Sequence, residues 1–485
     1  MAETKSRSTH YGMLWAVVLV SAVLKLTLVV AFRSSPIVLD ERDYLQLAQT
    51  LATEGRYVGT FRPPLYPAYL ALMLTLGWDR LGIGAGQVVF STVSLMLVYR
   101  IARRTLNPRA ATVAAGLFAF DPVLIMFTHR LWSETLFILF LAAAMDLLTA
   151  PLASRRVWPW LPAGLLLGLA GLTRPMVLSF VPLLLPWAVL QSHRARAPAP
   201  LPITAGGPGP DDPRQAEQVW MAGVGRFAVL CLAGALVVLP WTIRNVRRSG
   251  TFILVDSNGP FNLLVGNQPE AAFVDKDDFW SLRFGLVEGV PYQRAIIQNA
   301  AQAQRTAVRQ ALDHIHTDPG RFLKKFLWEA GHLWTVDSFL LRHLRNGWYG
   351  STTARGWTLL MTIVSVAFFV VLVLSSLVGL AVQPPSPFRG LALLLLLHAT
   401  ILFGVTYSLS RYNLPLHAIL VLPAASVLSH PHKVLSALRR TGFATHRNWL
   451  LLLGLLALGC AWAHDLPLVG DMLTTGGSAY VFRTE

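Results

Sequence analysis

Long apolar runs, separated by short basic clusters, dominate the chain. The first covers Met13 to Phe32, and others follow at about 84–102, 110–128, 133–150, 160–173 and 175–190. Five more lie at about 225–243, 357–381, 390–408, 413–429 and 448–464. A bilayer core roughly 30 Å thick needs about 20 apolar residues per helix, so the pattern predicts an all-α polytopic membrane protein with about eleven transmembrane helices. The first run follows Lys5 and Arg7, carries Lys25 and shows no small-residue cleavage site before Arg33. It therefore reads as an uncleaved helix with a cytoplasmic N-terminus. Arg100, Arg103, Arg104 and Arg109 then fall on the same side as Arg155, Arg156, Arg194, Arg196, Lys433, Arg439 and Arg440. That alternation follows the positive-inside rule.

Two connections are long. Residues 191–220 are rich in Pro, Gly and Ala and read as a flexible cytoplasmic linker. Residues 244–355 are mixed in polarity and read as a small mixed α/β outer segment. Within it FILVD suggests a strand, SNG a turn, Pro291 to His316 a helix, and Asp318-Pro319 the start of another. The chain then divides into an N-terminal transmembrane catalytic module (1–243, with a first outer loop at 33–64), the periplasmic or outer segment (244–355) and a C-terminal transmembrane module (356–485).

Composition sharpens this picture. Charged residues are 14% of the 485 and hydrophobic residues 54%, against roughly 25% charged in soluble domains. A soluble enzyme, a disordered chain and a fibre are excluded. The net charge of +16 would suggest nucleic acid in a soluble protein. Here it resides in clusters between apolar runs, where it orients the chain and meets anionic lipid, and no nucleic-acid motif is present. Cys231 and Cys460 lie inside apolar runs and supply no zinc ligand set. The pairs His314/His316 and His430/His432 have no acidic or cysteine context for a metal.

Carboxylates are scarce in the membrane part, so their positions are informative. Asp40 and Glu41 follow the first helix closely, and Tyr44, Leu47, Ala48 and Leu51 recur at helical spacing after them. This predicts a short amphipathic helix in the interface. Asp40 either caps that helix or meets a lipid headgroup, and adjacent residues can do both. In FRPPLYP the prolines start a helix at Leu65 and fix Arg62 near the same interface. A fixed guanidinium suits a lipid-linked phosphate; the plainer alternative is a turn with a snorkelling arginine. Arg174 in GLTRP, Arg244 in PWTIRN and Arg411 in SRYNLP face the same side. Singly each is an anchor, whereas together, with few acids to pair them, they make an anion site. Glu134, in LWSETLF, begins a span, where it caps with Ser133 or joins the site.

These pieces resemble a known family. VLDERDYLQLAQTLATEGRY, FRPPLYPAYLALML, LWSETLF, GLAGLTRPMVL, PWTIRNVRRSGTFILVDSNGPFNLLVGNQPEA, DPGRFLKKFLW and SRYNLPLHAILVLPAA occur in that order. Together they resemble the polytopic membrane glycosyltransferases of the C superfamily over about residues 10–430. The branch is the bacterial one related to protein O-mannosyltransferases and aminoarabinose transferases (glycosyltransferase families 39 and 83). The resemblance implies transfer of one hexosyl or pentosyl unit from a polyprenyl-phosphate sugar to an acceptor hydroxyl on a membrane lipid, glycan or protein. It implies work on cell-envelope glycans or lipopolysaccharide at the periplasmic face of a bacterial inner membrane. One cavity would take the polyprenyl tail and another the acceptor.

On this resemblance Asp40 is the general base and Glu41 its catalytic neighbour. Arg62, Arg174, Arg244 and Arg411 bind the donor phosphate. Tyr44, Tyr66, Glu134, Asn267 and Tyr412 are weaker substrate-binding candidates. The Arg62 position is Lys in some relatives. Some relatives hold a divalent cation at the first-loop acids, which Asp40 and Glu41 could do, although no obligatory cofactor is expected. The sugar-binding repeat domain of eukaryotic mannosyltransferases is missing from 244–355. An O-antigen ligase or glycan polymerase would share the arginines and the large outer loop but not need Asp40 and Glu41. A lipid transporter would place charges at mid-membrane and show repeat symmetry.

Overall fold

The computed structural model describes the chain except residues 1, 151–155, 197–212, 272, 274–284, 350–354, 433, 435, 437–445 and 476–485. Most of the Pro/Gly-rich linker, together with Arg155, Lys433, Arg439 and Arg440, therefore lies outside the described residues.

The first half contains α1 (Ala2–Ala31), α2 (Asp40–Glu54), α3 (Leu65–Thr75), α4 (Arg80–Thr105), α5 (Pro108–Ala119), α6 (Pro122–His129), α7 (Glu134–Leu148) and α8 (Trp160–Thr173). Two 3-10 turns lead into α9 (Leu184–Arg196), and α10 (Pro213–Ser249) follows. The 244–355 segment holds α11 (Asn258–Asn267), the strands β1 (Leu286–Val287) and β2 (Val290–Pro291), α12 (Tyr292–Thr317), α13 (Pro319–His332) and α14 (Phe339–Arg345). The helices α15 (Arg355–Val382), α16 (Pro387–Val405), α17 (Leu414–Ser429) and α18 (His446–Thr475) complete the bundle.

All eleven apolar runs fall on helical segments. Among the described residues six helices are long and apolar enough to cross a membrane, or seven if α5 and α6, bent by 50°, count as one span. Four further apolar helices are shorter: Leu65–Thr75, Trp160–Thr173, Leu414–Ser429 and Leu451–Pro467. The chain is a multi-pass, all-α membrane protein.

The bend between α5 and α6 has a local cause. Pro122 takes the first position of α6, and Asp121 Oδ1 accepts from the N–H groups of Val123 (2.9 Å) and Leu124 (3.1 Å). Asp121 Oδ2 meets His417 Nδ1 of α17 at 2.6 Å, which ties the break to the other half of the bundle. At the C-terminal ends of α4 and α7, Arg100 and Arg104 both pair with buried Asp146. Small residues allow a close helix contact: Gly164 and Gly168 of α8 face the backbone of Leu230 and Gly234 in α10, leaving no space for a Cβ.

The expected strand FILVD is not one. Its carbonyls turn instead to side chains of α10. Thr242 Oγ1 donates to Leu254 O (2.7 Å), Trp241 Nε1 to Val255 O (2.9 Å), and Asn245 Nδ2 to Ile253 O (3.2 Å) and Val255 O (2.9 Å). A helix face rich in polar side chains thus replaces the partner strand. The only described sheet is the antiparallel β1–β2 pair.

Candidate active site

The site is built on the N-terminus of α2. Leu39 adopts a left-handed backbone (φ 51°), a conformation costing about 1–3 kcal/mol for a non-glycine residue. Glu41 enforces it. Its Oε2 accepts from Val38 N–H at 2.9 Å and from Arg130 Nη2 at 2.5 Å, and its Oε1 accepts from Leu131 N–H at 2.7 Å. Arg130 also donates to Pro36 O (3.0 Å) and Trp348 O (3.3 Å). Both side chains of this ion pair are 0% exposed. Glu41 is therefore a buried clamp that fixes how α2 starts, and it does not share Asp40's surroundings.

Asp40 makes no capping bond. Its Oδ1 accepts from Arg62 Nη2 at 2.7 Å and its Oδ2 from Arg411 Nη2 at 2.8 Å. Arg62 also grips Asp43 Oδ2 through Nη2 (2.7 Å) and Nε (3.2 Å). The arginine comes from the turn before α3, where Pro63 and Pro64 fix its backbone. Arg411 comes from the α16–α17 connection, about 350 residues after Arg62 in sequence. Its guanidinium lies over Trp132, 4.4 Å from the ring centroid, and its Nε is buried without a hydrogen-bond partner among the described residues. Burial by itself would raise the Asp40 carboxyl, but Arg62 and Arg411 outweigh it and hold the group well below the usual carboxylate range.

The other expected residues divide between the rim of this cluster and the scaffold. Arg174 pairs with buried Glu134 at the start of α7, and Glu134 Oε2 has no hydrogen-bond partner among the described residues. Ser133 makes no cap bond, so the Arg174 pair replaces the expected capping. Tyr412 packs beneath Arg174 (5.8 Å) and stacks on Phe403 (4.6 Å). Tyr44 lies under Arg62 at 5.5 Å and edge-on to Tyr66 at 5.1 Å. Tyr66 is turned inward, its hydroxyl donating to Gln87 Oε1 at 2.8 Å. Arg244 does not join the cluster. It holds the backbone of the first loop, donating to Tyr57 O and to Gly59 O (2.9 Å), with its guanidinium 4.5 Å from the Trp241 ring centroid. Asn267 is likewise a brace, donating to Leu263 O (2.8 Å) and Val405 O (3.0 Å).

Asp256 belongs to the site and was not read from the sequence as a site residue. The segment that carries it is pinned to the first loop: Ser257 N–H donates to Thr60 O (2.9 Å) and Asn258 Nδ2 to Phe61 O (2.7 Å). Burial pushes the Asp256 carboxyl up to about 6, against the pull of Asn258, Arg62 and Arg174. Its sequence context, an expected strand end, hid it; only the fold brings it to Arg62.

Asp40 and Glu41 do not fit a divalent cation as they stand. Both oxygens of each are already engaged by guanidinium or backbone N–H donors. No group of three His, Cys, Asp or Glu is placed to hold a metal ion among the described residues.

Two concavities flank the cluster's elements. A mostly apolar cavity of about 850 Å³ lies between α13, α15, α16, α17 and α18, lined by residues such as Leu327, Val373, Leu377, Leu420 and Leu458. Helix α13 also supports the Arg411 connection, since Glu329 Oε2 accepts from Ser408 N–H at 2.7 Å. A more polar groove of about 610 Å³ runs between Thr251–Phe252 and α12, where Arg305, Arg309 and His316 line it.

Comparison with known proteins gives a partial match. No curated protein matches the chain. Among solved structures it is similar to the oligosaccharyltransferase AglB of Archaeoglobus fulgidus in complex with an inhibitory peptide and a dolichol-phosphate. The identity is 15% and the TM-score 0.48, covering 96% of this chain and 55% of that one. It is also similar to ArnT of Cupriavidus metallidurans bound to undecaprenyl phosphate, at 14% identity and TM-score 0.38, covering 87% of this chain and 78% of that one. The chain spans just over half the length of the oligosaccharyltransferase chains it matches. Residues 61–206, which carry Arg62, Glu134 and Arg174, match the family model for dolichyl-phosphate-mannose-protein mannosyltransferase, and over that stretch the resemblance to polytopic membrane glycosyltransferases holds.

Proposed function

We propose that the chain is a membrane glycosyltransferase that moves a single sugar from a polyprenyl-phosphate carrier to an acceptor hydroxyl. The observation that carries this reading is the Arg62–Asp40–Arg411 bridge, drawn from two distant loops at one end of the helix bundle. Two guanidinia held apart by one carboxylate form a site for a second anion, and a phosphate is the anion Arg binds best. The donor's leaving group is a phosphate, which needs cations to stabilise its departing charge rather than an acid to protonate it. Asp40 keeps both arginines oriented and limits their mutual repulsion. Arg174 stands apart on Glu134 and Arg244 serves the backbone, so Arg62 and Arg411, which converge on one carboxylate, take the phosphate. The name of the family matched over 61–206 supports a polyisoprenyl-phosphate donor. In this reading the isoprenoid tail occupies the apolar cavity beside α13, and the acceptor approaches along the groove at Thr251 and Phe252. In this reading the site faces the periplasm from a bacterial inner membrane and the N-terminus is cytoplasmic, which the basic clusters between apolar runs support.

The test uses purified protein with a panel of polyprenyl-phosphate sugars, reading release of polyprenyl phosphate. Turnover with one donor, reduced at least about a hundredfold in Arg62→Ala, is the expected result. Release from polyprenyl-diphosphate glycans alone would move the chain to the ligase or polymerase class. Turnover indifferent to Arg62 and Arg411 would refute the phosphate site.

A further inference from the structure

We propose that the groove between Thr251–Phe252 and α12 holds an anionic membrane lipid, its headgroup phosphate on Arg305 and Arg309 and an acyl chain on Phe252 and Leu312; this goes beyond the glycosyl-transfer reading and does not depend on it. The groove begins where a span ends. The apolar stretch of α10 runs to Ser249. Gly250, in the left-handed region (φ 66°), stops the helix with its N–H on Val246 O at 2.9 Å. The next two residues, Thr251 and Phe252, line the groove. Lipid headgroups lie at that depth, beside the end of a spanning helix. The facing wall is α12 beyond its break at Asn299, whose Oδ1 accepts from Gln302 N–H at 3.1 Å and restarts the helix. From there Ala301, Arg305, Val308, Arg309 and Leu312 recur at helical spacing on the groove side.

Charge in the lining selects an anion. Arg305 and Arg309 are exposed and one turn apart, so their charges repel until an anion lies between them. Arg305 has no ion pair among the described residues, and Arg309 has Glu288 Oε1 3.8 Å away, with both side chains more than half exposed. A contact so long and so wet is worth little. Among the described residues Asp313 is the one carboxylate in the lining, and it sits a turn beyond Arg309, which leaves the Arg305 end cationic. Guanidinium forks match the oxygens of a phosphate. Apolar surface in the same lining selects a lipid. Ile253 and Val255 pack inward, whereas Phe252 turns outward at 67% exposure and Leu312 on the facing helix stands at 43%. A soluble anion uses the arginines alone, but exposed apolar side chains beside cations at a span's end match an anionic amphiphile. The groove follows α12 for about 22 Å, from Ala301 to His316, and encloses about 610 Å³, room for a headgroup and the start of a chain.

The experiment titrates the full chain in detergent and reads the tightest binding step by native mass spectrometry. The probes are dioleoyl phosphatidylglycerol, dioleoyl phosphatidylcholine, glycerol 3-phosphate and inorganic phosphate. Phosphatidylglycerol is expected to bind at least about tenfold more tightly than phosphatidylcholine. Each arginine beside an anionic headgroup contributes about fivefold, so Arg305→Gln/Arg309→Gln should weaken that binding about thirtyfold. Arg305→Lys/Arg309→Lys keeps the charge and should weaken it by less than about threefold. Phe252→Ser should weaken phosphatidylglycerol about tenfold and leave glycerol 3-phosphate unchanged. The two soluble phosphates should bind at least about a hundredfold more weakly than the lipid, the share of about three to four buried methylenes. Equal affinity for soluble phosphate and lipid would make this an anion site without a lipid and overturn the proposal. Phosphatidylglycerol and phosphatidylcholine binding alike would overturn it too, as would a glutamine double variant within about twofold of wild type. The replaced side chains are exposed, so each variant should melt with the wild type. Absence of glycosyl transfer leaves the lipid site standing, and absence of lipid binding leaves the transfer reading standing, so the two fail separately.

Discussion

Replacing Glu41 by alanine tests whether the site depends on a buried clamp. The carboxylate compensates one fully buried guanidinium, Arg130, and accepts from two backbone N–H groups, those of Val38 and Leu131. Removing one partner of a buried ion pair costs about 3–5 kcal/mol. Each orphaned buried N–H costs about 1–3 kcal/mol more. Relaxation makes these terms less than additive, and release of the strain at Leu39 returns about 1–3 kcal/mol. The net expectation is a loss of about 4–6 kcal/mol. Glu41→Gln should cost less, because its amide oxygen still serves Leu131, yet it turns a donor toward Arg130. The double variant Glu41→Met/Arg130→Met removes both charges and should recover about 2 kcal/mol of the summed single effects. Thermal unfolding in detergent reads the stability, and donor turnover reads the position of Asp40. Turnover should fall even at temperatures where Glu41→Ala remains folded, because α2 no longer starts in the same direction. Melting of Glu41→Ala within about 1 °C of wild type would refute the reasoning, as would purely additive effects in the cycle.

Further tests address other parts of the frame. Lys325 Nζ donates to Gly404 O, Val405 O and Thr406 O, each at 2.9 Å, so Lys325→Met uncaps α16 and should cost about 2–4 kcal/mol in denaturant unfolding while displacing Arg411. Gly266 of α11 lies against the Thr406 carbonyl with no space for a methyl group; Gly266→Ala should lower stability by about 1–3 kcal/mol and reduce donor affinity through the same connection. Stability should also follow pH in a defined way. Folding raises the Asp256 carboxyl from 3.8 to about 6, so the folded state binds its proton more tightly than the unfolded chain does. Stability therefore falls as pH rises from about 4 to 6, and Asp256→Asn flattens that slope in equilibrium unfolding. Asp40, held low by its arginines, acts in the opposite sense, losing its contribution as pH drops below about 4.

Hydropathy was enough to show that this is a helical membrane protein, because a bilayer demands a long apolar run from each spanning helix whatever the neighbours are. Local rules also sufficed for α2, α3, α12 and α13: helical spacing after Asp40, the double proline before Leu65, and Asp318-Pro319 are signals contained within a few residues. Arg62, Asp40 and Arg411 stood out for the same reason, as charges at interruptions of apolar sequence. What the residues alone could not decide is which charges meet. Glu41 sits next to Asp40 in sequence, yet helical geometry turns it inward to Arg130 while Asp40 turns to two arginines. Arg244 carries the same local signature as Arg411 and ends on loop carbonyls instead. FILVD has the composition of a strand but bends at Leu254 and Val255, and side chains of α10 take its carbonyls. Helix formation follows from short-range periodicity. The pairing of buried charges depends on contacts between segments hundreds of residues apart, which only the packed bundle brings together.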